Sequence, residues 1–300
     1  MSEIVILGSL NLDLVLHMPR MPDDGETLAS DNSASFCGGK GANQAVACAR
    51  MGAAVAMIGR LGDDAPGQTL YSAVAAESIA LGGVAATPGA ATGIAVIVLT
   101  PGGHNRILLA AGANALLTPA DVAANGARID AAGLLICQLE VPLDTVAAAI
   151  ARAAGQGVPV LLNPAPARDL PPAMLAQVDY LIPNESEAAL LTGIPVSDDL
   201  SAETAALALR ARGVKNVILT RGAAGISIAD AQGCRHIPAL PANVVDTTAA
   251  GDSFIGGFAA GLVEGMDIDA AAYLGLRAAS LCVGRAGAQA SLPYRRELPA

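Results

Sequence analysis

Short, almost continuous apolar runs alternate along this chain with segments whose apolar residues recur at helical spacing. Residues 4–7, 55–58, 134–137, 158–162, 180–183 and 217–220 leave no polar face for water, so they predict strands buried on both sides. Between them the spacing predicts helices over 66–76, 141–154, 185–191 and 201–212; Gly193 stops the third, and Thr118 and Pro119 start another as N-cap and first helical residue. This alternation predicts an α/β fold, a mostly parallel sheet flanked by helices on both faces. Two stretches break the rhythm. Residues 14–36 are mixed and proline-interrupted, with strand-like pieces at 14–17 and 27–36, whereas 94–99 and 106–109, joined by Pro101-Gly102-Gly103, read as a hairpin. Together they predict a small β-sheet lid, from about 14–37 and 92–112, inserted in one domain spanning 1–300. The alanine-rich run at 85–91 reads as loop.

Two helix starts are rich in glycine and alanine. CGGKGANQAVACARMG runs from Cys37 to Gly52, and DTTAAGDSFIGGFAAG from Asp246 to Gly261. Small residues let backbone approach a ligand, and free N–H groups at a helix start, aided by the helix dipole, form an anion cradle. A carboxylate inside such a cradle opposes its field, so Asp252 reads either as an N-cap or as a proton acceptor beside a phosphate. Ligands of parallel α/β sheets bind beyond the carboxyl ends of the strands, where polar residues collect here. Asn11 and Asp13 follow the first predicted strand, Glu140 the 134–137 strand, and Asn163 the 158–162 strand. Asn184 and Glu187 follow 180–183, and Thr220 and Gly222 end the last.

Composition removes several classes of function. The net charge is −10, the only lysines are Lys40 and Lys215, and no basic run occurs, which disfavours nucleic-acid and anionic-membrane partners. Without Trp, and with three Phe and four Tyr, there is no base-stacking platform, while 53% hydrophobic residues suffice for a large core. Five cysteines with no CxxC pair predict reduced thiols in the cytoplasm, and His17, His104 and His236 are too dispersed for zinc. The start MSEIVILG lacks the basic region of an export signal. Residues 78–105 carry no Asp, Glu, Lys or Arg, but glycines and prolines leave only 94–99 continuously apolar, a strand rather than a membrane span. No GxGxxG or GxxxxGK[ST] is present, which disfavours a standard dinucleotide site and a P-loop. Carboxylates, one placed lysine and two helix starts remain, which is what phosphoryl transfer needs.

GSLNLD at 8–13, GGKGANQAVA at 38–47, NPAPA at 163–167, NESEA at 184–188, DTTAAGDSF at 246–254 and GAQASLP at 287–293 together resemble the PfkB carbohydrate kinase family over nearly the whole chain. The resemblance implies ATP-dependent phosphorylation of D-ribose at O5, with another sugar or a nucleoside as the alternative acceptor and a non-catalytic sugar sensor as the second alternative. It makes Asp252 the catalytic base and gives the anion hole to Ala249, Ala250 and Gly251. Asn11, Asp13, Gly39, Lys40, Gly41, Asn43 and Glu140 match sugar-binding positions. Asn184, Thr220, Arg221, Gly222, Ala223, Ala224, Gly225 and Gly251 match nucleotide contacts, and Glu187 matches the acid that organises Mg²⁺, through water. Asp246, Thr248, Cys282, Arg285, Gly287 and Ser291 match a monovalent cation site, implying K⁺, largely through backbone carbonyls. The lid is implied to cover the site and to form a homodimer contact. Leu276 stands where relatives often place a polar residue against adenine, and the stretch after Pro293 is short for their last helix. His17, His104, Cys48 and Cys234 read as structural.

Overall fold

A computed structural model describes residues 2–101 and 104–298 of the chain. Gly102 and Gly103, expected in the hairpin turn, lie outside the described residues, as does the side chain of His104. The first part of the chain forms β1 (Ile4–Leu7), β2 (Asn11–His17), β3 (Asn32–Gly38), α1 (Lys40–Arg50), β4 (Val55–Gly62), α2 (Ala65–Ala75), β5 (Ala80–Thr87), β6 (Gly93–Thr100) and β7 (His104–Ala110). The middle forms α3 (Pro119–Ala124), α4 (Gly126–Asp130), β8 (Leu134–Cys137), α5 (Leu143–Gly155), β9 (Val160–Leu162), α6 (Pro172–Leu175), β10 (Tyr180–Leu181), α7 (Glu185–Thr192) and α8 (Asp199–Ala211). The last part forms β11 (Asn216–Thr220), β12 (Ile226–Asp230), β13 (Gly233–Ile237), α9 (Ala250–Val263) and α10 (Ile268–Cys282).

The main sheet has the order β13-β12-β11-β10-β9-β8-β1-β4-β5, parallel from β11 to β5 and antiparallel at the β11-β12-β13 end. Along β1 the side chains divide: Val5 and Leu7 enter one apolar layer with Val146 and Ile150 of α5 and Leu209 of α8, while Ile4 and Ile6 enter the other with Val46 of α1, Phe254 and Phe258 of α9 and Ala271 of α10. A fully buried parallel strand needs apolar residues on both faces, which is why these runs do not alternate. Chain order reverses beside β1, with β4 and β5 on one side and β8 to β11 on the other, so the crevice of this sheet opens between β1 and β8.

The predicted lid is a four-stranded sheet, β3-β2-β6-β7. Its boundaries differ from the pattern-based reading. The strand expected at 14–17 begins earlier, so Asn11 and Asp13, expected just past β1, lie within β2, whose alternating burial turns both inward. Residues 27–31 are not strand, because only from Asn32 does the chain pair with β2. Ala85 to Thr87, read as loop, belong to β5, paired with β4; alanine and glycine there weaken the strand signal without preventing edge pairing. The β12-β13 hairpin was not foreseen, since Arg235 and His236 mask its apolar alternation. Thr118 caps α3 in a capping box with Asp121, and Gly193 ends α7 in the left-handed region at φ 75°, both as the spacing predicts. No helix among the described residues is long and apolar enough to cross a membrane.

Candidate active site

Helices α1 and α9 lie side by side with both N-termini at the carboxyl rim of the sheet, so the two glycine-rich starts converge. Glycine is needed at the head of α1: Gly39 has φ +90°, and a Cβ there would sit 2.6 Å from the Asn11 backbone nitrogen. This close approach brings Lys40, first in α1, against β2. Ahead of α9, Ala249 holds the left-handed backbone at φ +59°, and a side chain on Gly251 would meet open space.

Glu140 ties together the polar residues at the head of α1. Its Oε2 accepts from Ser9 Oγ at 2.5 Å, from the Lys40 backbone N–H at 3.1 Å and from Asn11 Nδ2 at 3.3 Å. Asn114 donates from Nδ2 to Asn11 Oδ1 at 2.8 Å and is itself held by the backbone of Leu10. Asp13 is 8% exposed, and burial, with Glu140 and Asp252 nearby, pushes its carboxyl up to about 7 against the opposing pull of Lys40. Burial also works against the charge on Lys40, but Asp252, Glu140, Glu187 and Asp13 together hold its ammonium above the usual range.

Asp252, the third residue of α9, is buried and accepts from Asn43 Nδ2 at 3.1 Å on Oδ2 and from Gln44 Nε2 at 2.9 Å on Oδ1. Burial raises its proton affinity, while Lys40, Gln44 and Asn43 hold it down. Asp252 is therefore not the cap of its helix, because the N-cap is Ala249. Beside it lies a cleft of about 210 Å³ lined by Lys40, Asn163, Asn184, Glu187, Thr220, Ala249, Ala250 and Gly251, among others. Asn184 and Glu187 form the capping box of α7: Asn184 Oδ1 accepts the Glu187 N–H at 2.8 Å, and the Glu187 carboxylate accepts from the Asn184 backbone N–H and Nδ2, each at 2.9 Å. Burial lifts Glu187 above the usual carboxylate range despite these bonds.

Asp246 joins two loops. Its Oδ1 accepts from the Thr248 N–H at 2.8 Å and Oγ1 at 2.6 Å, and its Oδ2 from the Gly287 N–H at 2.9 Å. Burial opposes its charge, but these bonds hold it below the usual carboxylate range. Cys282 meets Ser291 Oγ at 3.1 Å and donates to the Thr248 carbonyl at 3.7 Å, and burial pushes its thiol up, away from the thiolate. Arg285 turns its guanidinium to Glu297. Among the described residues no group of three or more His, Cys, Asp or Glu side chains could hold a metal, so a cation here would rely on backbone oxygens and water.

The remaining positions are placed differently from the cleft-lining set. Arg221 directs its buried guanidinium to Asp199 and Ser227, and Gly222 to Ala224 form an exposed 3-10 turn after β11. Leu276 is buried in the apolar layer of α10. Sequence reasoning missed Gln44, Gln138, Asn114 and Ser9; GANQ offered a hint for Gln44, but the other contacts are purely spatial.

Residues 1–295 match the pfkB family carbohydrate kinase model. The chain is 41% identical to a ribokinase of Haemophilus influenzae over 99% of this chain and 97% of the relative. It is 37% identical to a deoxyribokinase of Salmonella typhi over 97% and 95%. A solved Arabidopsis thaliana ribokinase complexed with ribose and ATP is similar with a TM-score of 0.93 and 32% identity, covering 98% of this chain and 96% of that one. With one family model spanning almost its entire length and relatives of this identity aligned end to end, the chain belongs to the pfkB family of carbohydrate kinases.

Proposed function

We propose that this kinase transfers the terminal phosphoryl group of ATP to the 5-hydroxyl of D-ribose, giving ribose 5-phosphate and ADP. The observation that carries the reading is the position of Asp252, gripped by two carboxamides between the Asn11-Asp13-Lys40-Glu140 group and the cleft at the head of α9. Ribokinases with about 40% identity and the ribose and ATP complex of the Arabidopsis ribokinase support it.

In this reading Asn11, Asp13, Lys40, Asn43 and Glu140 hold the sugar hydroxyls, with Gly39 and Gly41 keeping the approach clear. Asp252 accepts the proton of the 5-hydroxyl as its oxygen bonds to the terminal phosphorus, and the bond from that phosphorus to the ADP oxygen breaks. The N–H groups following Ala249, with Ala250 and Gly251, and the Lys40 ammonium take up charge on the moving group. Asn184, Thr220 and the turn from Arg221 to Gly225 border the nucleotide. The open space over Gly251 and the half-buried Lys40 fit a phosphate chain.

Glu187 faces the same cleft with each carboxylate oxygen already accepting one bond, which suits a hydrated Mg²⁺. When bound, Mg²⁺ neutralises phosphate charge. The oxygen-rich loops at Asp246, Thr248, Cys282, Arg285, Gly287 and Ser291 suit K⁺, whose charge would steady the loop leading into α9. Ile107, Leu108 and Leu109, all strongly exposed on β7 at an open edge of the small sheet, support a homodimer through the lid. The five free cysteines suit the cytoplasm.

The test is ADP release on a panel of pentoses, hexoses and nucleosides with ATP and Mg²⁺, with and without K⁺. Ribose should be the best acceptor, K⁺ should stimulate, and Asp252→Asn should lose about 10²- to 10⁴-fold in kcat. Equal turnover of 2-deoxyribose would favour the deoxy sugar, the acceptor named by the Salmonella relative. No ADP release with any sugar would leave a sensor.

A further inference from the structure

Gln44 is wholly buried on α1, and all of its hydrogen-bonding capacity at nitrogen is used. Its Nε2 donates to Asp252 Oδ1 at 2.9 Å and to Asn163 Oδ1 at 3.2 Å, and its Oε1 accepts from Gln138 Nε2 at 2.6 Å. The direction of this chain of amides is fixed from one end. The Ile182 carbonyl can only accept, and it takes its hydrogen from Asn163 Nδ2 at 2.9 Å. Asn163 must therefore turn its oxygen to Gln44, and Gln44 its nitrogen to Asn163 and Asp252. Asn43, the other residue gripping Asp252, has no such anchor, since its Oδ1 has no partner among the described residues.

We infer that Gln44 is a positioning residue for phosphoryl transfer: locked in polarity through Asn163 by the Ile182 carbonyl, it keeps Asp252 an acceptor with its remaining lone pairs turned to the cleft. The inference rests on Asp252 being the base, and it assigns what holds that base ready. Gln44 is wholly buried and does not line the cleft, so its loss acts through the groups it holds, Asp252 and Asn163. The groups facing Asp252 from the surrounding elements are Lys40 on α1, Asp13 on β2, Glu140 after β8, Glu187 on α7 and Cys282 on α10.

The experiment compares Gln44→Met, Gln44→Glu and Asp252→Asn by thermal melting and by kcat and KM across pH. In Gln44→Met, kcat falls by about 10- to 100-fold while KM for ribose and nucleotide stays within about threefold. Its acid limb of kcat moves up by about one pH unit, because a donor to the ionised form has gone. An unchanged kcat and an unmoved limb in folded Gln44→Met overturn the proposal. Should that variant fail to melt cooperatively, Gln44→Glu carries the test: two carboxyls must then share a proton, the limb rises, and a limb that stays put overturns it. Asp252→Asn separates the two readings. If it turns over at the parent rate, the base assignment falls; if it is inactive while Gln44→Met is normal, only the role of Gln44 falls.

Discussion

Gly256 of α9 rests directly on Ala47 of α1, so closely that a Cβ on Gly256 would lie 2.7 Å from the Ala47 carbonyl carbon and 2.9 Å from the Cys48 nitrogen. The contact sits one helical turn below the bonds from Asn43 and Gln44 to Asp252, and it sets the spacing those bonds require. The nearest atom of all, the Ala47 Cβ, is fixed to that same backbone, so nothing in the way can swing aside. Gly256→Ala should therefore cost about 1–3 kcal/mol of stability. It should also lower kcat more than it raises KM for sugar, as seen by melting together with kinetics at saturating ribose.

Asp13 is an acid held against its preference. Its carboxyl, at about 7 in the folded chain and 3.8 as the reference, resists ionisation while the unfolded chain ionises freely. Stability is therefore lost as pH rises through this window and is untouched below it. Asp13→Asn removes the conflict. It should raise the melting temperature of the sugar-free protein at pH 8, by as much as about 4 kcal/mol in stability terms, with the gain fading toward pH 4. Ribose turnover should fall in the same variant. A variant no more stable than its parent at pH 8 would show that Asp13 carries no such burden.

Ala249 occupies the left-handed region at φ +59° while its methyl packs on the apolar layer beneath α9. Left-handed backbone costs a non-glycine residue about 1–2 kcal/mol, more than one methyl contact returns. Ala249→Gly should accordingly be more stable by about 0.5–1 kcal/mol. Its anion hole should be looser, with kcat reduced by several-fold. Urea titration and steady-state rates measure the two effects separately.

Glu140 accepts three hydrogen bonds on a single oxygen, from Ser9, Asn11 and the Lys40 backbone. Glu140→Gln keeps the shape but removes the charge that strengthens each bond, and its NH₂ opposes donors if it rotates. KM for ribose should rise by about 10- to 100-fold, kcat changing less. Isothermal titration with ribose in the absence of nucleotide gives the same loss as a binding constant.

The rim of polar residues was readable because a parallel sheet sends every strand end to one side, so Glu140, Asn163, Asn184 and Thr220 could be placed from strand positions alone. Asn11 and Asp13 were recognised as residues just past the first strand, but not as part of the next one. Only two residues after Gly8 separate β1 from β2, and no local pattern tells a turn from the start of a strand in a second sheet. Gln44 and Asn114 were not legible at all: one meets Asp252 and the other Asn11, each more than 100 residues away along the chain. Arg221 illustrates the converse, since a residue in the right motif turned its side chain toward Asp199.

The two glycine-rich helix starts lie in a chain of net charge −10. A nucleotide approaching from a distance meets repulsion, and attraction takes over only within the last Debye length, about 8 Å at physiological ionic strength. Added salt screens the outer repulsion more than the sheltered contacts at the two helix starts. ATP should therefore associate faster, not slower, as an inert salt is added from low to moderate concentration at constant K⁺, a trend stopped-flow mixing would resolve and the reverse of that for a basic polyanion binder.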